Sequence, residues 1–150
     1  MLLVTSMPPM TIDQAQRFQA RRLEGSVHSW HYPQECAGTE FQASVDAGIA
    51  MLKDEAVPFA LLHDFRFVHY SKMDLSLPFL EWGRDIRRSC RIERVAFVVD
   101  PARVGWFGLL TINGMLQLSP VQPARVFHTL EQAECWCAKS TDKRTVSRGA

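Results

Sequence analysis

Apolar and polar positions run along the chain in blocks whose repeat shifts between two and nearly four. LEGSVHSWHY (23–32) alternates loosely around Val27 and Trp30 and stops before Pro33, which predicts an opening strand with room for a hairpin turn at Glu24-Gly25. In residues 35–55 the apolar positions Phe41, Val45, Ile49 and Leu52 recur at steps of four and three, the spacing of one helix face. Thr39 is placed to cap that helix after Gly38, and Pro58 ends it. PFALLHDF (58–65) is a continuous apolar run closing on an acid, as in a strand buried on both faces. Ser76 reads as the cap of a second helix with Pro78 in its first turn, and Phe79, Trp82, Ile86 and Cys90 form its stripe. RIERVAFVVD (91–100) is the clearest strand, and Asp100-Pro101 reads as a loop after it. A helix over 104–119, a short strand in PARVFHTL and a final helix opened by Thr129 complete the series.

Strands alternating with helices predict an α/β domain with a mostly parallel sheet and right-handed crossovers. At 150 residues the chain fits one domain with an adequate core. Residues 1–20 read as a leader with room for a short helix over Thr11–Gln19, 21–139 as the domain, and 140–150 as a polar tail. MLLVTSMPPM has no basic n-region and is not read as a signal peptide. A net charge of +1 exerts no overall pull toward nucleic acid or an anionic membrane, so neither is expected as a partner. Cys36, Cys90, Cys135 and Cys137 contain no C-x-x-C pair and read as reduced thiols of a cytoplasmic protein.

Candidate chemistry is sparse. In the closing helix Thr129 and Gln132 fit a capping box, and Leu130, Ala133, Trp136 and Cys137 share a face. Cys135 and Cys137 are two apart, about 200° around a helix, so they do not ligate one metal from it; Cys137 reads as core and Cys135 as more exposed. No phosphate loop, dinucleotide fingerprint, nucleophile elbow or H-E-x-x-H occurs, so no cofactor or metal is expected. His28 and His31 face opposite sides of their strand. His63 and Asp64, at the C-terminal end of a strand where α/β sheets bind ligands, form with His69 the one constellation suited to acid–base work. Its plainer reading is a satisfied core histidine and a turn-capping aspartate. Arg84, Arg87, Arg88 and Arg91 share one helix face; this reads first as a solvated face that Glu81, Asp85 and Glu93 offset, and second as a surface for an anionic partner.

The most unusual feature is an absence. No charged residue lies between Arg103 and Arg125, and 104–118 is apolar nearly all round, with Trp106, Phe107, Leu109, Leu110, Ile112, Met115 and Leu116. The segment is too short to span a bilayer. It is therefore either buried on both sides or exposes a patch for a partner. Trp106, Phe107, Leu110 and Met115 are the candidate contact residues, for a protein partner or a second copy; the alternative is a lipid-like small molecule lodged where Gly105 and Gly108 leave room.

PFALLHDF, the helix opening at Ser76, RIERVAFVVD and ARVFHTLEQAECWC, taken in this order, resemble the SpoIIAA-like family, whose members share the STAS-domain fold of anti-sigma-factor antagonists and of the cytoplasmic domains of sulfate transporters. The similarity spans residues 22–139. It implies a four- to five-stranded, mostly parallel sheet with helices packed mainly on one side, and a bacterial regulatory binding module instead of an enzyme. In the antagonists a helix-start serine after a D-L-S strand end is phosphorylated by a partner kinase. Here HDF replaces D-L-S and no D-S-S-G occurs, which leaves Ser71 and Ser76 as the serines near that place.

Overall fold

A computed structural model of the chain describes residues 17–69 and 76–149, the side chains of 76–80, Phe107, Thr111, Met115 and 140–149 excepted. The elements are β1 (Gln19–Leu23), β2 (Val27–His31), α1 (Thr39–Lys53), β3 (Phe59–Asp64), α2 (Ser76–Ser89), β4 (Ile92–Val98), α3 (Pro101–Leu118), β5 (Ala124–Phe127) and α4 (Leu130–Gly149). They build an α/β fold around one five-stranded sheet in the order β1-β2-β3-β4-β5. β1 pairs antiparallel with β2, and the other three pairings are parallel.

The hairpin expected at Glu24-Gly25 forms. Gly25 and Ser26 both take positive φ, 76° and 58°, a conformation glycine adopts without cost and serine tolerates in a tight turn. The sheet then advances one strand at a time in one direction. Right-handed crossovers that advance the same way deposit their helices on the same face. Accordingly α1, α2 and α3 share one face. Phe41, Val45, Ile49 and Leu52 of α1, Ile86 of α2 and Val104 and Ile112 of α3 join Trp30, Phe59, Leu61, Val95 and Phe97 in one core. No strand follows β5 among the described residues, and α4 covers the opposite face. There Ala133 and Cys137 press on Val27, Ala60, Leu62, Ala96 and Val98. The alanines in β3 and β4 let that helix approach closely. Three helices thus pack on one face of the sheet and one on the other. β2 and β3 are buried along their whole length; in β3 this accounts for the unbroken apolar run, whereas β2, read as loosely alternating, also buries His28, Ser29 and His31. The edge strands are marked by charge instead: Arg21 and Arg22 in β1 and Arg125 in β5 are exposed.

Three local expectations are corrected. Gly38, not Thr39, is the N-cap of α1; Thr39 is already helical and no side chain caps that end. Asp100-Pro101 is no loop: the Asp100 carboxylate accepts from the Ala102 amide at 3.0 Å, so it caps α3, and Pro101 occupies the first turn, where its missing N–H costs nothing. α3 therefore starts three residues earlier than its apolar run, and Gly105 (φ 66°, ψ 178°) kinks it just after that first turn. α4 begins as expected, with the Gln132 amide donating to Thr129 Oγ1 at 3.2 Å, and continues to Gly149 through the segment read as a polar tail.

Candidate interaction surface

Beyond its kink α3 has two unlike sides. Gly108 and Ile112, four residues apart, are buried toward the sheet, as is Val104 just before the kink. Trp106, Leu109, Leu110, Asn113 and Gln117, at steps of three and four, face away from it. Trp106 is 77% exposed, Leu110 50% and Leu109 40%. The uncharged segment is thus not sealed on both flanks; its outer row leaves large apolar side chains in solvent. Of the residues picked out in the sequence, the structure brings Trp106 and Leu110 together on this row. Phe107 and Met115 belong to the same helix, but their side chains lie outside those described. Leu109 was missed as a contact residue, although three-residue spacing from Trp106 was enough to find it. Ser71 lies outside the described residues; Ser76 is the first residue of α2, and its side chain is likewise not described.

Between α2, the sheet and the turn after α3 lies a cavity of about 20 Å³ lined by Trp30, His63, Trp82, Ile86, Ser119 and Val121 among others. That is room for one water, well below the several hundred Å³ of a ligand pocket. Trp30 Nε1 is buried with no hydrogen-bond partner, so a water is the natural guest.

His63, Asp64 and His69 do not form one site. Adjacent strand residues point to opposite faces. His63 points toward α1–α3, its ring nearly parallel to those of Phe65 (centroids 5.8 Å apart) and Phe97 (5.2 Å), and its Nδ1 is hydrogen-bonded to Tyr32 Oη at 2.8 Å. Burial lowers the His63 pKa to about 3, so the ring is neutral. Burial likewise raises the Tyr32 pKa, keeping that hydroxyl protonated. Asp64 points toward α4. It takes the His31 Nδ1–H at 2.7 Å and the fork of Arg66, Nε at 2.9 Å and Nη2 at 2.8 Å, as well as the Arg66 amide at 3.1 Å. Burial pushes this carboxyl up, but hydrogen bonds from His31 and Arg66 and their charges outweigh it and hold it at about 2. His69 is exposed beyond the turn. The His31–Asp64 contact was legible only through register: the two residues are partners across β2 and β3. At the other end of β2, His28 Nε2 meets Glu55 at 2.8 Å, and Glu55 also holds Arg22 at 3.2 Å, tying the hairpin to the end of α1.

No group of three or more His, Cys, Asp or Glu among the described residues is arranged to hold a metal. Cys137 is buried and Cys135 exposed, as helix geometry required. Burial raises the thiols of Cys36 and Cys137 to about 12. A thiol reagent at neutral pH is therefore expected to label Cys135 quickly and leave Cys36 and Cys137 unmodified until the protein unfolds. Rapid labelling of Cys137 in the folded protein, read by peptide mass spectrometry, would contradict the packing of α4 on the sheet.

Compared with known proteins, the chain matches no family model, no curated protein and no solved structure. No helix among the described residues is long and apolar enough to cross a membrane.

Proposed function

We propose that the chain is a non-catalytic, STAS-like binding module that docks another protein surface, a second copy included, through the outer face of α3. The observation that carries this reading is the exposed row of Trp106, Leu109 and Leu110 on a helix with no charged residue from 104 to 118. Such a row costs solubility unless something covers it. The polar groups of the sheet's interior support a structural role: Asp64 is saturated by His31 and Arg66, and His63 is enclosed by aromatic rings. The stepwise strand order and the three-to-one division of helices are compatible with the SpoIIAA-like resemblance. The lipid-like ligand has less behind it, since the cavity between α2, the sheet and the turn after α3 is the size of a water.

Light scattering on the purified chain tests the reading. With no other partner present, the face is expected to self-associate as concentration rises, and Trp106→Asp or Leu110→Asp to restore the 17.1 kDa monomer with an unchanged circular dichroism spectrum. A wild type that stays monomeric throughout, with both variants indistinguishable from it, overturns self-association through this face and leaves a different protein as its only occupant.

A further inference from the structure

Next to the C-terminal end of α3 lies a row of positive charge with no ion-pair partner among the described residues. In α2, Ile86 is buried against the sheet. At about 100° per residue, Gly83 and Arg87 then lie on one flank of α2, Asp85 on the other, and Arg84 and Arg88 on the outer face. The contacts agree with this placement. A Cβ on Gly83 would meet Pro120, just past the end of α3, at 3.1 Å, while Asp85 reaches across to Lys53 of α1 at 3.3 Å. Arg87 therefore leans toward the turn after α3, and Arg84 and Arg88 point out from the same helical layer that exposes Trp106 and Leu110, which lie roughly 15–20 Å back along α3, a span one helical segment can cover.

The offset expected from sequence does not occur. Asp85 is committed to Lys53, and among the described residues none of Arg84, Arg87, Arg88 and Arg91 forms an ion pair. All four are exposed. The row is a local feature, because the whole chain carries only +1.

We propose that the outer face of this layer binds an acidic protein segment, whose apolar side chains cover Trp106, Leu109 and Leu110 and whose carboxylates meet Arg84, Arg87 and Arg88. The inference rests on the reading of α3 as a docking face and adds the chemistry of the partner. Guanidinium forks match carboxylates in two-point geometry, and Trp and Arg are the residue types on which protein interfaces concentrate their energy. A second copy is the poorer occupant. An isologous contact centred on this layer sets the arginine row against itself, and like charges in apposition weaken association. Nucleic acid is poorer too, since Glu81 and Asp85 share the helix and the net charge is small.

The probes are two helical peptides with the same leucine stripe, one flanked by glutamates and its twin by lysines, titrated against the full chain by fluorescence anisotropy. The glutamate peptide is expected to bind about tenfold tighter than its twin near 0.05 M salt. That advantage should fade near 0.5 M, where screening is short-ranged. Arg84→Gln with Arg88→Gln, both exposed and so harmless to folding, should erase it, and Trp106→Asp should weaken both peptides. Equal binding of the twins, with both still lost in Trp106→Asp, overturns the acidic partner and leaves the docking face standing. Glutamate-peptide binding that ignores Trp106→Asp overturns the docking face itself. Binding of phosphatidylserine vesicles but of neither peptide also overturns the proposal, in favour of a membrane surface.

Discussion

Lowering the pH from about 6.5 toward 3 is expected to destabilise this protein steadily, and His63 is the group responsible. Its ring is enclosed by Trp30, Tyr32, Phe65 and Phe97, and burial lowers its pKa from 6.5 to about 3. The sign follows from which state binds the proton. Below pH 6.5 the unfolded chain protonates this histidine and the folded one does not, so each further pH unit favours unfolding by about 1.4 kcal/mol. The stability is fully present above 6.5 and is lost as pH falls toward the folded value of about 3. Across the whole window the loss approaches about 5 kcal/mol, comparable with the entire stability of a marginal domain. Urea titrations at several pH values between 7.5 and 4 read it directly. His63→Phe alone would strand the Tyr32 hydroxyl, at about 1–3 kcal/mol, so the informative variant is His63→Phe with Tyr32→Phe. Its rings can fill the same stack, and its stability should lose most of the dependence on pH between 6.5 and 4. Equal slopes in wild type and double variant would show that His63 is not buried in the folded state.

The same histidine shows where sequence reasoning reaches and where it stops. The apolar run PFALLHDF places His63 and Asp64 at the C-terminal end of a buried strand, and that placement holds. What the run does not encode is the partner of each side chain. Pleat alone already separates the two onto opposite faces, so proximity along the chain counted against a joint site. Their actual partners, Tyr32 and His31, come from a strand more than thirty residues earlier and are brought alongside by parallel register, which no local pattern specifies. The elements themselves were legible because their signals are local: the three-and-four spacing of α1, the hairpin glycine, and the Thr129 cap of α4. The start of α3 was not, since Asp100-Pro101 fits a loop and a capped helix equally well until Val104 is seen to pack under the sheet's edge. The outer row of α3 was recognised by what it lacks. A charge-free helix stood out in a sequence that is 22% charged. The unpaired arginines of α2 were hidden for the opposite reason. Their acidic neighbours in sequence look like partners, yet Asp85 points across to Lys53.

Removing Asp64 should be among the most damaging single changes in the chain. Its side chain is 2% exposed, and it binds a histidine, a guanidinium fork and a backbone amide at once. Asp64→Ala leaves Arg66 without its counter-ion and His31 with both ring nitrogens unpartnered, since Nε2 has none already. Breaking a buried pair from one side costs about 3–5 kcal/mol, which for a domain of this size lowers Tm by about 10 °C. The effect also has its own pH signature. The carboxyl's pKa falls from 3.8 unfolded to about 2 folded, so its contribution is complete above about pH 4 and disappears as pH drops through 2. That difference is worth about 2 kcal/mol, and Asp64→Asn should abolish the acid limb below pH 4. Because His63 acts at higher pH, the measurement belongs in the His63→Phe, Tyr32→Phe background, where the two windows no longer overlap. An Asp64→Asn variant within about 1 kcal/mol of its parent at pH 7 would mean that Arg66 and His31 find water as readily as they find the carboxylate. The turn at 65–68, which Asp64 holds through the Arg66 amide, would then owe its shape to the Phe65 carbonyl and the Val68 amide, 3.2 Å apart, instead.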